Sequence, residues 1–289
     1  MSALRHAAAM SRHALVRIRN EPAPGILPML GWIAFGAVQV QGLLGGLRVV
    51  LFKDEIGIFH ATLAQLFFVL MCAIVLLTSR WWLARGERGD GLGKSERILG
   101  LGNVPWLLVS ATALIFGQLI LGATMRHQHA GLAIPDFPLA YGKLWPAMDP
   151  ASVELYNQRR LEVMAVKPIT AFQIGLQMTH RMMAVLILAV VAACAWSLRR
   201  SLGAKHALSK AALVWLGLIL AQAILGAATI LTDKAADVTT AHVLLGALSL
   251  AAGAMLTVVA CEEERRHPCR RVAVVVNSPV GMPALPVTR

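Results

Sequence analysis

Six apolar runs punctuate the chain, near residues 26–51, 57–79, 104–125, 170–197, 211–232 and 238–260. Each exceeds or approaches the roughly 20 residues that a helix needs to cross a bilayer. The pattern predicts six transmembrane helices. The polar break Phe52-Lys53-Asp54-Glu55 is short, so the first two spans read as an antiparallel hairpin. One polar stretch, 126–168, is long, and the others are brief. Within this pattern a unit recurs. Gln41-Gly42-Leu43-Leu44-Gly45 leads through a break to His60, Gln118-Leu119-Ile120-Leu121-Gly122 leads to His180, and Gln222-Ala223-Ile224-Leu225-Gly226 leads to His242. Internal repetition sets architecture. A histidine inside a lipid-spanning segment is costly and points to function. Three at matched positions point to metal or haem ligation.

The faces around these histidines are polar or small. Gln173, Gln177, His180 and Ala184 share one helical face, and Thr239, His242, Gly246 and Ser249 share another. His60, predicted in the first turn of its span, is followed by Ala64 and Gln65. Each histidine has a small residue four positions on (Ala64, Ala184, Gly246), which would leave room for a flat macrocycle. The alternative for any single histidine is a hydrogen bond to a neighbouring helix, and small residues also line ordinary helix contacts in membranes. Bare zinc fits less well, because no acidic or thiolate partner lies within the spans. His180 and His242 fall at comparable depth on spans running the same way, and two facing imidazoles in a four-helix bundle can hold a haem.

Composition changes the picture in one respect. The chain has 289 residues, is 57% apolar and carries a net charge of +12. Of its 27 Lys and Arg, 18 fall in 1–24, 80–103, 198–210 and 261–289, all on one side of the membrane if the N-terminus is inside. The charge is therefore topological, and nucleic acid is not an expected partner; the lipid bilayer is. Trp81, Trp82, Trp106, Trp196 and Trp215 are expected to form an aromatic belt near the inner helix ends. Cys72, Cys194, Cys261 and Cys269 offer no disulfide on the outer side. Residues 1–24 are basic and Ala-rich without the apolar core of a cleavable signal. The absence of a targeting peptide points to a bacterial inner (cytoplasmic) membrane, with both termini cytoplasmic.

The expected organisation is an all-α integral membrane protein. A basic cytoplasmic arm (1–24) precedes a helical hairpin (25–80) and a cytoplasmic linker (81–103). A C-terminal four-helix haem-binding bundle (104–262) carries the outer loop 126–168, and the tail 263–289 is expected to be disordered. The loop contains the densest chemistry: Arg126-His127-Gln128-His129, then Gly131-Leu132-Ala133-Ile134-Pro135-Asp136-Phe137-Pro138-Leu139-Ala140-Tyr141-Gly142. Arg126 and Arg181 can meet a haem propionate or another anion. His127 and His129 remain open between ligand, acid–base group and surface residue.

This loop and the three repeats resemble the haem A synthase family, membrane enzymes that oxidise haem O for cytochrome oxidase. The similarity runs over roughly 26–262, through Gln118–Gly122, Arg126-His127, the Gly131–Gly142 stretch and His180-Arg181. It implies two pseudo-symmetric four-helix bundles. His180 and His242 would be axial ligands of a bis-histidine b-type haem, with Arg181 and Arg126 as further cofactor-binding residues. His60, also a candidate metal ligand, and His127 would belong to the haem O substrate site. The implied reaction converts the C8 methyl of haem O to a formyl group, with electrons leaving through the bound haem to a membrane acceptor. Haem O synthase and further copies of the chain are the remaining candidate partners.

The chain departs from the family pattern. It has six predicted spans where the family has eight. The hairpin corresponds to the latter half of the first bundle, a remnant of it. The missing pair would carry the other substrate-site histidine and a glutamate shortly before it, and Gly57 stands at that spacing before His60. Ile134 and Ala140 stand near the family's outer-loop cysteines, and Gln177 rather than an acid precedes His180. No catalytic residue is assigned. Either Met1 is not the true start, or the chain is a short form. The readings to separate are a haem O-oxidising enzyme, a non-catalytic membrane b-type haem protein for electron transfer or haem handling, and a transporter-like bundle without haem.

Overall fold

The computed structural model describes residues 25–87, 101–163 and 168–266. Eight α-helices are present among them: α1 (Ile26–Leu51), α2 (Asp54–Thr78), α3 (Arg80–Glu87), α4 (Val104–His127), α5 (Pro150–Val163), α6 (Ala171–Leu202), α7 (Ala207–Leu231) and α8 (Ala236–Arg266). All but α3 and α5 are long and apolar enough to span a bilayer, so the chain is an all-helical integral membrane protein. The arm 1–24, residues 88–100 of the linker and the tail beyond Arg266 lie outside the described residues. The two short helices refine the expected loops. Residues 150–163 of the long polar stretch are helical, and the linker opens with a helix. Helix α8 continues through Glu262-Glu263-Glu264 to Arg266, and Glu264 there accepts a hydrogen bond from the Leu101 amide at 2.8 Å.

Helices α4, α6, α7 and α8 form a four-helix bundle in which α4 packs on α6 and α8, and α7 on the same two. Helices α6 and α8 therefore hold opposite corners. The hairpin partner α2 docks against α4 and α8, and α1 packs on α2. Helix α2 begins at Asp54, with Asp54 and Glu55 in its first turn. Acidic side chains favour that end of a helix, where the backbone N–H groups are unpaired. His60 consequently lies in the second turn, not the first. His60 and His242 are each the seventh residue of their helices and His180 is the tenth of its own.

The bundle core sits toward the end away from the 128–170 loop. Leu108, Ala111 and Ile115 of α4 meet Ile187, Val191, Cys194 and Leu198 of α6, with Ala212, Trp215 and Ile219 of α7 and Leu250, Leu256 and Val259 of α8. Trp215 corrects an expectation. It is 1% exposed and belongs to the core rather than to an interfacial belt; Trp106 and Trp196 are exposed. The reason is Gly253, where an added Cβ would come within 2.6 Å of the Trp215 ring. The indole fits only because that side chain is absent, and its Nε1–H donates to the Ser249 carbonyl at 2.8 Å. Gly253→Ala is expected to destabilise the bundle by about 1–3 kcal/mol, the usual cost of overpacking. A lower unfolding midpoint in detergent reads the effect, and an unchanged midpoint contradicts this packing.

Candidate haem-binding site

In each of the three repeats the glycine closing the Gln-x-x-Leu-Gly motif lies against the histidine ring of the next helix in the unit. A Cβ at Gly45 would sit 3.5 Å from His60 Cε1, one at Gly122 would sit 3.5 Å from His180 Cε1, and one at Gly226 would sit 3.2 Å from His242 Cε1. The repeat read from sequence is thus one three-dimensional unit, an antiparallel pair with the imidazole laid over a bare stretch of backbone. Gln118 reinforces the second copy, its Nε2 donating to the His180 carbonyl at 2.9 Å. The Nδ1 atoms of His60, His180 and His242 are all buried without a hydrogen-bond partner.

Helices α6 and α8 present His180 and His242 from opposite corners of the bundle. The packing at this level is distinctive. Residues 116–124 of α4, 179–186 of α6, 220–229 of α7 and 236–245 of α8 contain no fully buried side chain, although the layers on either side do. Interiors are ordinarily close-packed. Two imidazoles on opposite corners of a bundle, each with a buried and unpartnered Nδ1, are a donor set that fits a haem. Among the described residues no three His, Cys, Asp or Glu side chains gather as for a bare metal ion. A haem asks less of the chain, because its porphyrin supplies four donors and the protein two axial ones.

The space beside Gly246, expected to be left for a macrocycle, is filled otherwise. A Cβ there would meet Leu119 Cδ2 at 2.9 Å and Gln222 Nε2 at 3.0 Å. The small residue seats side chains of neighbouring helices.

The polar loop forms a folded cap over the start of α6. The Asp136 carboxylate accepts the Tyr141 and Gly142 amides at 2.7 and 2.9 Å, which holds Tyr141 and Gly142 at positive φ of 54° and 72°. The Tyr141 hydroxyl donates to the Ala133 carbonyl, and its ring stacks on Tyr156 of α5 at 3.7 Å. Burial pushes the Tyr141 phenol above its usual pKa, against the pull of Arg160. Ile134, Ile169, Ile174 and Met178 form a second small core beneath it. Three residues on α6 clasp the cap, the first of them Gln173, whose Nε2 donates to the Gln128 carbonyl at 2.7 Å. Gln177, 1% exposed, accepts the Ile134 amide at 2.7 Å and donates to the Ile134 and Gly131 carbonyls at 3.2 and 3.4 Å. Arg181 donates to the Asp136 and Leu139 carbonyls at 2.7 and 2.9 Å, with its guanidinium 5.6 Å from the Phe137 ring centre. The guanidinium is tied to the cap by both terminal nitrogens, and its Nε is buried without a partner.

Arg126 and His127 lie elsewhere, at the mouth of the hairpin. With Arg48, Phe52, Lys53, Asp54 and His129 they line a cavity of about 310 Å³. The His127 ring fills the position that a side chain at residue 57 would take: a Cβ on Gly57 would lie 2.2 Å from His127 Cε1. Its Nδ1 is 3.9 Å from the Asp54 carboxylate. His129 is exposed, with φ of 53°. On the bundle side, Lys234 lies over Gly131, its Cε 2.7 Å from a Cβ built there. Burial, then Arg160, holds this lysine below its usual pKa. Sequence reasoning did not single out Tyr156, Arg160 or Lys234. Their only signal was polarity within a loop, which does not distinguish a folded cap from a solvated one.

A comparison with curated proteins returns no match. The family model COX15-CtaA, described as cytochrome oxidase assembly protein, matches residues 7–254. That span takes in the hairpin, the cap and all three histidine units, and the chain belongs to this cytochrome oxidase assembly family.

Proposed function

We propose that this protein is a haem A synthase-type oxidoreductase that converts the C8 methyl of haem O to a formyl group. The observation that carries the reading is the pair His180 and His242 at opposite corners of the bundle, each ring laid over the glycine that closes its repeat. These two imidazoles would hold a b-type haem, which supplies one-electron transfer when bound. The surrounding residues do the protein's share: the glycine backbones seat the rings, and the α6 cap, clasped by Gln177 and Arg181, keeps water from that level. Haem O is the substrate, placed at the hairpin, where His60 would face its iron and Arg126 and His127 would stand at the mouth. In this reading the cap faces the periplasm, the termini are cytoplasmic, and a membrane acceptor takes the electrons. Haem O synthase would deliver the substrate.

A second reading, a non-catalytic membrane b-type haem protein, draws on Gly57. The family's acidic side chain is not present three residues before His60, and the His127 ring lies in that space. Expression in a host that makes haem O and no haem A separates the two. Extracted haems weighed by mass spectrometry are expected to include haem A or its hydroxylated precursor. Unchanged haem O beside a purified protein carrying haem b would establish the second reading instead. In the enzyme reading, His60→Ala is expected to abolish conversion while the b-type spectrum persists. Loss of that spectrum would move His60 into the cofactor site.

A further inference from the structure

Ligating histidines are ordinarily held in orientation by a hydrogen bond from the second ring nitrogen to a carbonyl or carboxylate. The three histidines here lack it: each Nδ1 is buried without a hydrogen-bond partner. The His242 ring has a hydrogen-bonding contact with the Gln222 backbone, in a geometry that leaves Nδ1 short of a well-formed hydrogen bond. What each ring has in common is the glycine under it. Cβ positions at Gly45 and Gly122 fall 3.5 Å from Cε1 of their histidines, and at Gly226 the distance is 3.2 Å, with both ring nitrogens at 3.8 Å.

The spacing makes this more than general helix packing. Gly117 and Gly217 lie on the same two helices as Gly122 and Gly226, and a Cβ at either would meet nothing within 4 Å. Glycine alone therefore does not mark a close approach on these helices; the glycine that closes the repeat does.

We propose that Gly122 and Gly226 are the positioning residues of the two haem ligands, and that a backbone stop, beside the Gln222 contact at His242, sets each imidazole plane. The inference rests on His180 and His242 being those ligands. An alanine methyl at Gly226 would sit closer to the ring than ordinary van der Waals contact. The ring must then turn or slide by a few tenths of an ångström, which changes the overlap of its orbitals with the iron. At Gly122 the methyl would just touch, so the disturbance is smaller. The ligand itself survives in both variants.

The test uses the purified haem-loaded protein and reads the electron paramagnetic resonance g values of its oxidised low-spin signal and its midpoint potential. Gly226→Ala is expected to keep its haem and shift both quantities. Gly122→Ala should shift them less, and Gly117→Ala and Gly217→Ala not at all. A Gly226→Ala protein with wild-type g values and potential overturns the proposal, and so does a Gly217→Ala protein that shifts as far. Should Gly226→Ala fail to accumulate, Gly122→Ala decides against Gly117→Ala: a shift in the first only supports the stop, and identical spectra overturn it. If His180→Ala and His242→Ala both retain the low-spin signal, the ligand assignment falls and the proposal with it. That result is distinct from a failure of the glycine comparison alone.

Discussion

His180→Ala and His242→Ala are each expected to eliminate the low-spin b-type haem spectrum of the purified protein. In the proposed reading each removes one of two axial nitrogens presented from opposite corners of the bundle. A single remaining imidazole leaves iron five-coordinate and high-spin, or lets the haem escape. The effect is all-or-none in the optical spectrum, whereas a histidine that merely bridged two helices would cost on the order of 1 kcal/mol and leave the spectrum unchanged. The readings differ by their observable, so the result does not depend on judging a magnitude. Both variants retaining the signal would end the haem-site assignment. The core built on Trp215 and Leu198 lies away from both histidines, so the variants should still fold, which their elution in detergent would verify.

Gln177→Leu is expected to be the most damaging change outside the histidines. Its side chain makes three hydrogen bonds to the backbone of Gly131 and Ile134 in a place that water does not reach. Leucine matches its bulk and satisfies none of them. A buried amide or carbonyl left without a partner costs about 1–3 kcal/mol, so the loss for three such groups is at least about 3 kcal/mol if the cap stays down. If the cap lifts, the loss is smaller, and the loop becomes accessible. Unfolding midpoint and limited proteolysis between residues 131 and 145 together capture both outcomes. Wild-type values in both would show that the clasp holds nothing. Arg181 fastens the same cap through the carbonyls of Asp136 and Leu139, so a lifted cap should also loosen that contact.

Gln177 illustrates how far sequence reasoning reaches. It was legible as a polar residue on the histidine face of a membrane helix, which correctly turned it inward. What it does there was not legible, because its partners lie over 40 residues away in the chain, in a loop whose composition says only that it is polar. Arg181 shows the same gap. Its charge was legible, and the two loop carbonyls it also holds were not. Trp215 shows the reverse error. Tryptophan near a span end suggests an interfacial belt, and only the absence of a Cβ at Gly253, on another helix, admits it to the core.

The sequence by itself determined six spans, their hairpin pairing and the threefold Gln-x-x-Leu-Gly and histidine unit. These follow from local quantities: hydropathy over about 20 residues, the shortness of connections, and spacing along one helix. Tertiary structure alone decided which helices hold opposite corners, which glycine lies under which ring, and that the polar loop closes over α6 rather than trailing in water. Those are relations between elements far apart in the chain. They depend on which side chains leave room for which, and a linear pattern carries no measure of that.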